Sequence, residues 1–268
     1  MGSRSKLAEL RDFRGAVASV AWSRDGKFLA TGSAEPSDKL RIWDSTSWKA
    51  VRQWDPSGQY LVDSLAWSPD GTQLAVGVGD LEVWEVASGR MVAKLLPVGG
   101  VHSVTWSPDG KLLAFTSSLD PDRGDEGVVV VWDPSKGDGP ASEANTVVLA
   151  GHLGLVHSVT WSPDGRSLAS GGEDTTVKVW DLSAKQNTVT LSGHTEAIRA
   201  VSWSPDGRLL ASGSSDDTIR VWDTGSNQTK ATLQHPNDVT SLAWSPDATR
   251  LASGCDDATI RIWSVQVP

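Results

Sequence analysis

The sequence is poor in several residue types, and each shortage excludes a class of protein. Its 268 residues include one cysteine, Cys255, which excludes an internal disulfide framework and a cysteine-rich zinc site. No apolar run approaches the ~18 residues that a membrane span needs, and the first 30 residues lack the hydrophobic core of a signal peptide. Helical periodicity is also absent. We therefore expect a soluble, cytoplasmic protein with little or no helix.

Positive charge is scarce as well. The chain carries 24 Lys and Arg against 33 Asp and Glu, a formal net charge of −9. Nucleic acids and anionic membranes are bound by basic surfaces, so we expect neither as a partner. We expect residues 1–268 to form one domain, with residues 1–5 as an expression leader or a disordered end.

Phenylalanine and tyrosine are nearly missing, whereas tryptophan is abundant. There are 3 Phe, 1 Tyr and 14 Trp, and a single repeated unit is the simplest cause of this bias. Between Trp22 and Trp244 the five intervals average about 44 residues. Twelve Trp residues form six pairs, and successive pairs recur at that spacing. In each pair the first Trp precedes a turn and the second ends an apolar run: Trp22/Trp43, Trp67/Trp84, Trp106/Trp132, Trp161/Trp180, Trp203/Trp222 and Trp244/Trp263.

Each copy has the pattern of four short strands. In the fifth copy a strand ending at Trp203 leads into Ser-Pro-Asp-Gly, a tight turn in which Pro fixes φ and Gly permits positive φ. Strands over 209–213, 218–222 and 230–233 follow. Four antiparallel strands cannot bury both of their faces alone, but they can when sheets stack radially. The repeat therefore predicts an all-β propeller of six four-stranded blades.

The motifs resemble those of the WD-repeat family over nearly the whole chain. The fourth copy carries all of them: Gly151-His152, Ser162-Pro-Asp-Gly165, Leu168-Ala-Ser170-Gly171, Asp174 and Trp180-Asp181. The resemblance implies a six-bladed WD-repeat β-propeller in which an N-terminal strand over residues 8–13 closes the last blade. An incomplete ring, or a fragment of a larger array, remains the alternative because family members more often have seven blades.

The resemblance also implies structural hydrogen-bond tetrads. A Ser, His and Asp together invite a hydrolase hypothesis, but three equivalent sets favour scaffolding, since an active site is normally single. We assign no catalytic residue. The expected tetrads are His152, Ser170, Asp174 and Trp180; His194, Ser212, Asp216 and Trp222; and His235, Ser253, Asp257 and Trp263.

The first three copies lack this set. Phe13, Gly58 and Pro97 stand at the His position, and Thr31, Val76 and Phe115 stand at the Ser position.

Function is expected where copies differ. The resemblance places the variable loops around a central channel, and from them we select Leu61, Asp63, His102, Leu155, His157, Glu173, Arg199, Asp238 and Asp256 as partner-binding residues.

These residues, with the acidic loop Asp120 to Glu126, predict a protein or peptide partner, possibly basic, for a monomeric propeller. The function implied is a non-enzymatic interaction scaffold that needs no cofactor. Two alternatives stay open: an engineered or isolated propeller without a selected partner, and a propeller enzyme with a channel metal. His102, His157 and Asp63 would be the ligands of such a metal, although simple repeat duplication explains the histidine pair better.

Two segments fall outside the repeat. Residues 133–145 are rich in Gly, Pro and Ser and predict a flexible loop between the third and fourth strands of the third blade. Trp48 and Trp54 lie on the predicted outer strand of the first blade and its exit, where we expect an exposed indole.

Overall fold

The computed structural model describes residues 10, 13, 15–33, 40–56, 61–119, 126–142 and 144–265. These residues fold into short strands joined by tight turns, with one 3-10 turn at Pro134–Lys136. Within this part of the chain, no helix has the length and apolar character needed to cross a membrane.

The strands fall into six consecutive sheets, which we call blades 1 to 6. Blade 1 comprises β1 (Val17–Trp22), β2 (Phe28–Ser33), β3 (Leu40–Asp44) and β4 (Ala50–Trp54). Blade 2 comprises β5 (Ser64–Trp67), β6 (Gln73–Val78), β7 (Asp80–Glu85) and β8 (Arg90–Leu96). Blade 3 comprises β9 (Val104–Trp106), β10 (Leu113–Ser118), β11 (Gly127–Trp132) and β13 (Thr146–Ala150). Blade 4 comprises β14 (Val156–Trp161), β15 (Ser167–Gly172), β16 (Val177–Asp181) and β17 (Gln186–Leu191).

Blade 5 comprises β18 (Ile198–Trp203), β19 (Leu209–Ser214), β20 (Thr218–Asp223) and β21 (Gln228–Gln234). Blade 6 comprises β22 (Val239–Trp244), β23 (Arg250–Cys255) and β24 (Thr259–Ser264). The strands of the repeat pair antiparallel in chain order from the inside outward. The first strands of neighbouring blades contact one another, so they line the central axis.

The Ser-Pro-Asp-Gly turns are closed by their own side chains. In blade 2 the Ser68 hydroxyl donates to Asp70 at 2.6 Å and accepts the Gln73 N–H at 2.9 Å. Gly71 has φ +71°, a conformation that L side chains rarely adopt. This chemistry sets the register between the first two strands of the blade.

Hydrophobic packing lies between blades rather than within one central core. Five clusters fill the five interfaces from blade 1 to blade 6. At the last of them Ile219 and Val221 of blade 5 pack with Val239 and Leu251 of blade 6. The predicted all-β six-bladed propeller is confirmed, and the strands expected in the fifth copy are present.

Three expectations from the sequence either lie outside the described residues or differ from the structure. The closing strand over residues 8–13 lies mostly outside the described residues, which give blade 6 three strands. The segment 133–145 is not simply a flexible loop, because β12 (Gly139–Pro140) pairs in parallel with β8. Trp54 is buried and stacks on Trp84 at 5.5 Å, so the exposed indole expected at that position was wrong.

Candidate functional site

The blade 4 tetrad is a continuous chain of hydrogen bonds. The Trp180 indole donates to Ser170 Oγ at 2.8 Å, Ser170 Oγ lies 2.8 Å from His152 Nε2, and His152 Nδ1 lies 2.9 Å from Asp174 Oδ2. A carboxylate only accepts, so Nδ1 carries the proton and the Ser170 hydroxyl donates to Nε2. Burial acts to raise the pKa of Asp174, but hydrogen bonds from His152 and Thr176 outweigh it and lower the pKa to about 2.

Blade 5 repeats this arrangement. Trp222 donates to Ser212 at 2.9 Å, and His194 joins Ser212 to Asp216 with contacts of 2.8 Å on each side. Burial is the main cause of a lowered pKa at His194, so the neutral ring is favoured. Asp216 also accepts the backbone N–H of Thr195 at 3.0 Å. The hydrogen bonds from His194 and Thr195 to Asp216 thereby connect the loop before β18 to the turn after β19.

The blade 6 set differs at its acidic end. Trp263 and His235 both contact Ser253 Oγ at 2.8 Å, as expected. However, His235 Nδ1 faces Arg261 Nη1 at 3.0 Å, and Arg261 Nη2 donates to Asp257 at 2.9 Å. The expectation that Asp257 directly partners His235 was wrong, because Arg261 lies between them. Burial and the Arg261 charge lower the pKa of His235.

The first three blades replace the tetrad in three ways. In blade 1 the Trp43 indole donates to Thr31 at 2.9 Å, and Phe13 packs 5.7 Å from the Trp43 ring. In blade 3 Phe115 is buried, and the Trp132 indole N–H is buried without a hydrogen-bond partner in the described structure. In blade 2 the Trp84 indole donates to Glu82 at 3.0 Å. In each of these three arrangements the third-strand Trp keeps its usual position in the blade.

The variable loops come together on one face, which we call the entrance face. It holds the loops that precede each blade's first strand and those that join its second and third strands. These loops are linked by backbone hydrogen bonds from Glu173 to Leu155, from Asp256 to Asp238 and from Gly127 to Gly154. The Ser-Pro-Asp-Gly turns lie at the other end of the strands. On the entrance face two of these bonds therefore join the two loops of one blade, and the bond between Gly127 and Gly154 joins blade 3 to the loop before blade 4.

Equivalent positions near the start of the first strands form an arc across blades 2 to 5: Asp63, His102, His157 and Arg199. Arg199 Nη1 lies 3.1 Å from His157 Nε2, and Arg199 Nε donates to Ser215 at 3.0 Å. Burial, then the Arg199 charge, lowers the pKa of His157. Burial raises the pKa of Asp63, and the His102 charge opposes this.

Among the described residues the arc does not have the geometry of a metal site, and Ser170 of the blade 4 tetrad does not have that of a hydrolase nucleophile. The described residues contain no group of three His, Cys, Asp or Glu side chains placed to hold a metal ion. Ser170 is fully buried and already contacts both Trp180 and His152, so its hydroxyl faces no substrate.

The acidic residues selected from the sequence lie in different surroundings. Glu173 accepts the Leu155 N–H at 3.1 Å and lies 3.9 Å from His157, so it is already hydrogen-bonded within its own blade. Asp256 is exposed and Asp238 half-buried beside it. Of the acidic loop, Glu126 is described and residues 120–125 are outside the described chain.

Sequence reasoning selected Leu61 but missed the other members of an apolar surface on the same face. We call it the entrance patch, and it comprises Leu61, Val98, Leu119 and Leu153, all exposed. Val98 is 72% and Leu153 is 73% exposed. The Gly99 loop packs directly on the Ser118 backbone, and Gly127 donates to Gly154, so neighbouring loops carry these side chains in series. The sequence does contain a signal for this surface, because Leu153 is an aliphatic residue at the position where the next two copies have Thr195 and Pro236.

The chain belongs to the WD-repeat family. The family described as WD domain, G-beta repeat matches residues 5–44, 95–133, 144–181, 185–223 and 227–264. The second copy lies outside these matches and is the one in which Val76 and Glu82 replace the usual polar set.

Curated relatives share this similarity over part of their length. The chain is 31% identical over 181 residues to Protein HIR1 of Cryptococcus neoformans, covering 61% of this chain and 20% of that protein. It is 31% identical over 184 residues to THO complex subunit 3 of Arabidopsis thaliana, covering 68% and 53%. It is 32% identical over 188 residues to Cell division cycle 20.1, cofactor of APC complex, of Arabidopsis thaliana, covering 67% and 38%. The chain thus spans about half or less of these relatives.

Proposed function

We propose that the chain is a non-enzymatic interaction scaffold whose entrance face binds a protein or peptide. The observation that carries this proposal is the entrance patch, because exposed apolar side chains grouped on neighbouring loops of a rigid protein are typical of interaction sites. Two of the relatives are a complex subunit and a complex cofactor, which supports the same class of function.

The proposed partner is an extended segment that presents an apolar side chain at one end and a basic one at the other. The apolar group would pack on Val98 and Leu153, and the basic group would approach Asp238 and Asp256. Opposite charges steer association and set the register of the bound segment more than they raise affinity. The net charge of −9 agrees with a partner other than nucleic acid or an anionic membrane. A monomeric, cytoplasmic scaffold is part of the same proposal.

The test is selection of peptides from an unbiased displayed library on the immobilised full chain. We expect enriched peptides with an aliphatic or aromatic residue separated by several positions from Arg or Lys. Binding should be lost in the double variant Val98→Asp with Leu153→Asp and weakened in Asp238→Lys with Asp256→Lys. Val148→Asp is the matched control, because Val148 is also an exposed valine but lies on the outer strand β13. Peptides that bind all variants equally would show that another surface is used.

A further inference from the structure

The Ser-Pro-Asp-Gly turns form the face opposite the entrance face, which we call the turn face. Here the Pro of one blade's turn lies over the Gly of the next blade's turn. A Cβ on that glycine would lie 3.4 to 3.7 Å from the proline Cδ, and the pairs are Gly110 with Pro69, Gly165 with Pro108 and Gly207 with Pro163. This contact covers the gap between the two blades at the turn face.

The contact is missing between blades 1 and 2. Arg24 stands in blade 1 where the five following copies have Pro. Among the described residues, no atom of another residue lies within 4 Å of the place that a Cβ on Gly71 would take, apart from its two chain neighbours. Next to this uncovered turn lies a cavity of about 570 Å³, which Gly71 helps to line. We call it the rim cavity.

The walls of the rim cavity are mainly apolar. Ile42 belongs to the hydrophobic cluster between blades 1 and 2, and Phe28 and Val86 pack against that cluster. Phe28 stacks on the buried Trp67 ring with 6.2 Å between the centroids and 17° between the planes. The Trp67 indole in turn donates to the Ala21 carbonyl at 2.9 Å, so Phe28 is a fixed, flat wall. A cavity of this volume has the size of a small-molecule site.

Two cavities at equivalent places between other blades have different linings. Between blades 2 and 3, Gln73 stands at the position of Phe28, and Ala93 stands at the position of Arg52. Between blades 4 and 5, Ser167 stands at the position of Phe28. Of these three cavities, the rim cavity alone combines an aromatic wall from the second strand with an arginine.

The arginine of the rim cavity has no carboxylate partner in the part of the chain that the structure describes. Arg52 donates to two backbone carbonyls there, from Nη1 to Val51 at 2.8 Å and from Nη2 to Ala87 at 3.5 Å. The Glu85 carboxylate also lines the cavity, but it accepts the Ser88 hydroxyl at 2.5 Å. Hydrogen bonds to a carboxylate are stronger than those to a carbonyl, so the guanidinium favours an anionic ligand.

We propose that the rim cavity binds a small monocarboxylic acid with an apolar body, of the class of medium-chain fatty acids. The carboxylate would accept two parallel hydrogen bonds from the planar Arg52 guanidinium. The hydrocarbon body would lie along Phe28, Ile42 and Val86. Glu85 would repel a second negative charge, which disfavours dicarboxylates. The site lies at the other end of the strands from the entrance patch, so it is independent of the proposed function.

The test titrates octanoate into the full chain at neutral pH and follows backbone amide signals by NMR. Octanoate should shift the signals of Gly71, Thr72 and Ala87. Gly110 and Ser135, at the equivalent positions of the next cavity, are internal controls and should not shift. Octanamide has the same body without the charge, so it should bind at least about tenfold more weakly, because a hydrogen bond to a charged group is lost. Octanedioate should also bind more weakly than octanoate.

Two variants separate the charge from the apolar wall. Arg52→Gln should bind octanoate about tenfold more weakly and octanamide as wild type does. Its melting temperature should hardly change, because the Arg52 side chain is exposed and bonds only to backbone carbonyls. Arg166→Gln changes an exposed arginine in the blade 4 turn and is the matched control. Phe28→Ser introduces the residue type of blade 4 and should weaken both ligands alike.

Four results would overturn the proposal. Unchanged signals of Gly71 and Ala87 at millimolar octanoate would show that the cavity takes no such acid. Equal affinities for octanoate and octanamide, or equal octanoate affinities of Arg52→Gln and wild type, would show that Arg52 does not bind the carboxylate. Shifts centred on Val98 and Leu153 would place the acid on the entrance patch. Tighter binding of an N-acetylated dipeptide ending in Leu would assign the cavity to a peptide C-terminus.

Discussion

The indole N–H of Trp84 donates to the carboxylate of Glu82 at 3.0 Å in the one blade where valine replaces the tetrad serine. Glu82 lies opposite Val76 in the strand register and is fully buried. Its other oxygen lies 3.5 Å from the Lys94 ammonium, which also pairs with Asp80 at 2.8 Å. A carboxylate on the third strand of blade 2 thus accepts the indole N–H that a hydroxyl on the second strand accepts in blades 4 and 5.

Removing that carboxylate should destabilise blade 2. Glu82→Ala leaves the indole N–H of the half-buried Trp84 without its acceptor, which costs about 2 kcal/mol of unfolding free energy. Adding Val76→Ser in the same chain should recover part of this loss, because residue 76 is equivalent to Ser170, which accepts the Trp180 indole. Urea unfolding of the single and double variants gives the comparison. A double variant no more stable than Glu82→Ala would contradict the assigned replacement.

The tetrad histidines should differ in tautomer. His152 and His194 contact carboxylates through Nδ1, which requires the proton on Nδ1. His235 Nδ1 faces Arg261, which only donates, so its proton must be on Nε2. Long-range proton–nitrogen NMR spectra near neutral pH should therefore show His235 with the opposite pattern. The Arg261→Ala variant should remove the preference at His235 and leave the spectra of the other two unchanged.

The blade 5 histidine should contribute measurably to stability. His194→Ala removes the link between Ser212 and Asp216, so the buried Ser212 hydroxyl loses its acceptor and Asp216 loses one donor, and we expect a loss of about 1–3 kcal/mol. Thr195→Ala is the control, because Thr195 is the exposed neighbour and joins the network only through its backbone N–H. Thermal unfolding of both variants measures the effect. Equal melting temperatures for wild type and His194→Ala would contradict a structural role for the tetrad.

Acid should weaken the blade 4 network through Asp174. Its pKa is lowered from 3.8 to about 2 in the folded chain, so the unfolded chain binds the proton more readily. The stabilisation is complete above the unfolded value and is lost as the pH falls from about 4 toward 2, amounting to about 2 kcal/mol. In urea titrations across this range, the free energy of unfolding should fall less steeply for Asp174→Asn than for wild type. Parallel curves would contradict the assignment.

The fifth strand on blade 2 should protect a strand edge. Asp138 accepts the Lys94 backbone N–H at 2.8 Å, and Gly139 and Pro140 pair with Leu95 and Leu96. Asp138→Ala should speed hydrogen exchange at the Lys94 amide about tenfold, because an amide that loses its acceptor opens to solvent. The Val92 amide, on the same strand but outside this contact, is the internal control. Unchanged exchange at Lys94 would show that the pairing is not maintained in solution.

Much of the fold could be predicted from local chemistry. The turns repeat Ser-Pro-Asp-Gly or a near variant in every copy, and side-chain bonds such as those of Ser68 and Asp70 close them without help from the rest of the chain. The alternation around Val201 and Trp203 similarly indicates which face is apolar. The role of Glu82 could not be predicted, because nothing in a linear pattern shows that a third-strand carboxylate reaches the indole two residues later.

The sequence by itself determined the repeat, the strand order within each blade and the residues available for the tetrads, because these depend on spacing and short-range bonding. Tertiary structure alone decided that Arg261 separates His235 from Asp257, that Val98 and Leu153 share a face, and that Phe28 and Val86 line one cavity. These features depend on how separate blades and loops pack in three dimensions. Small side-chain differences at equivalent positions then change which groups meet, although the repeat pattern is the same.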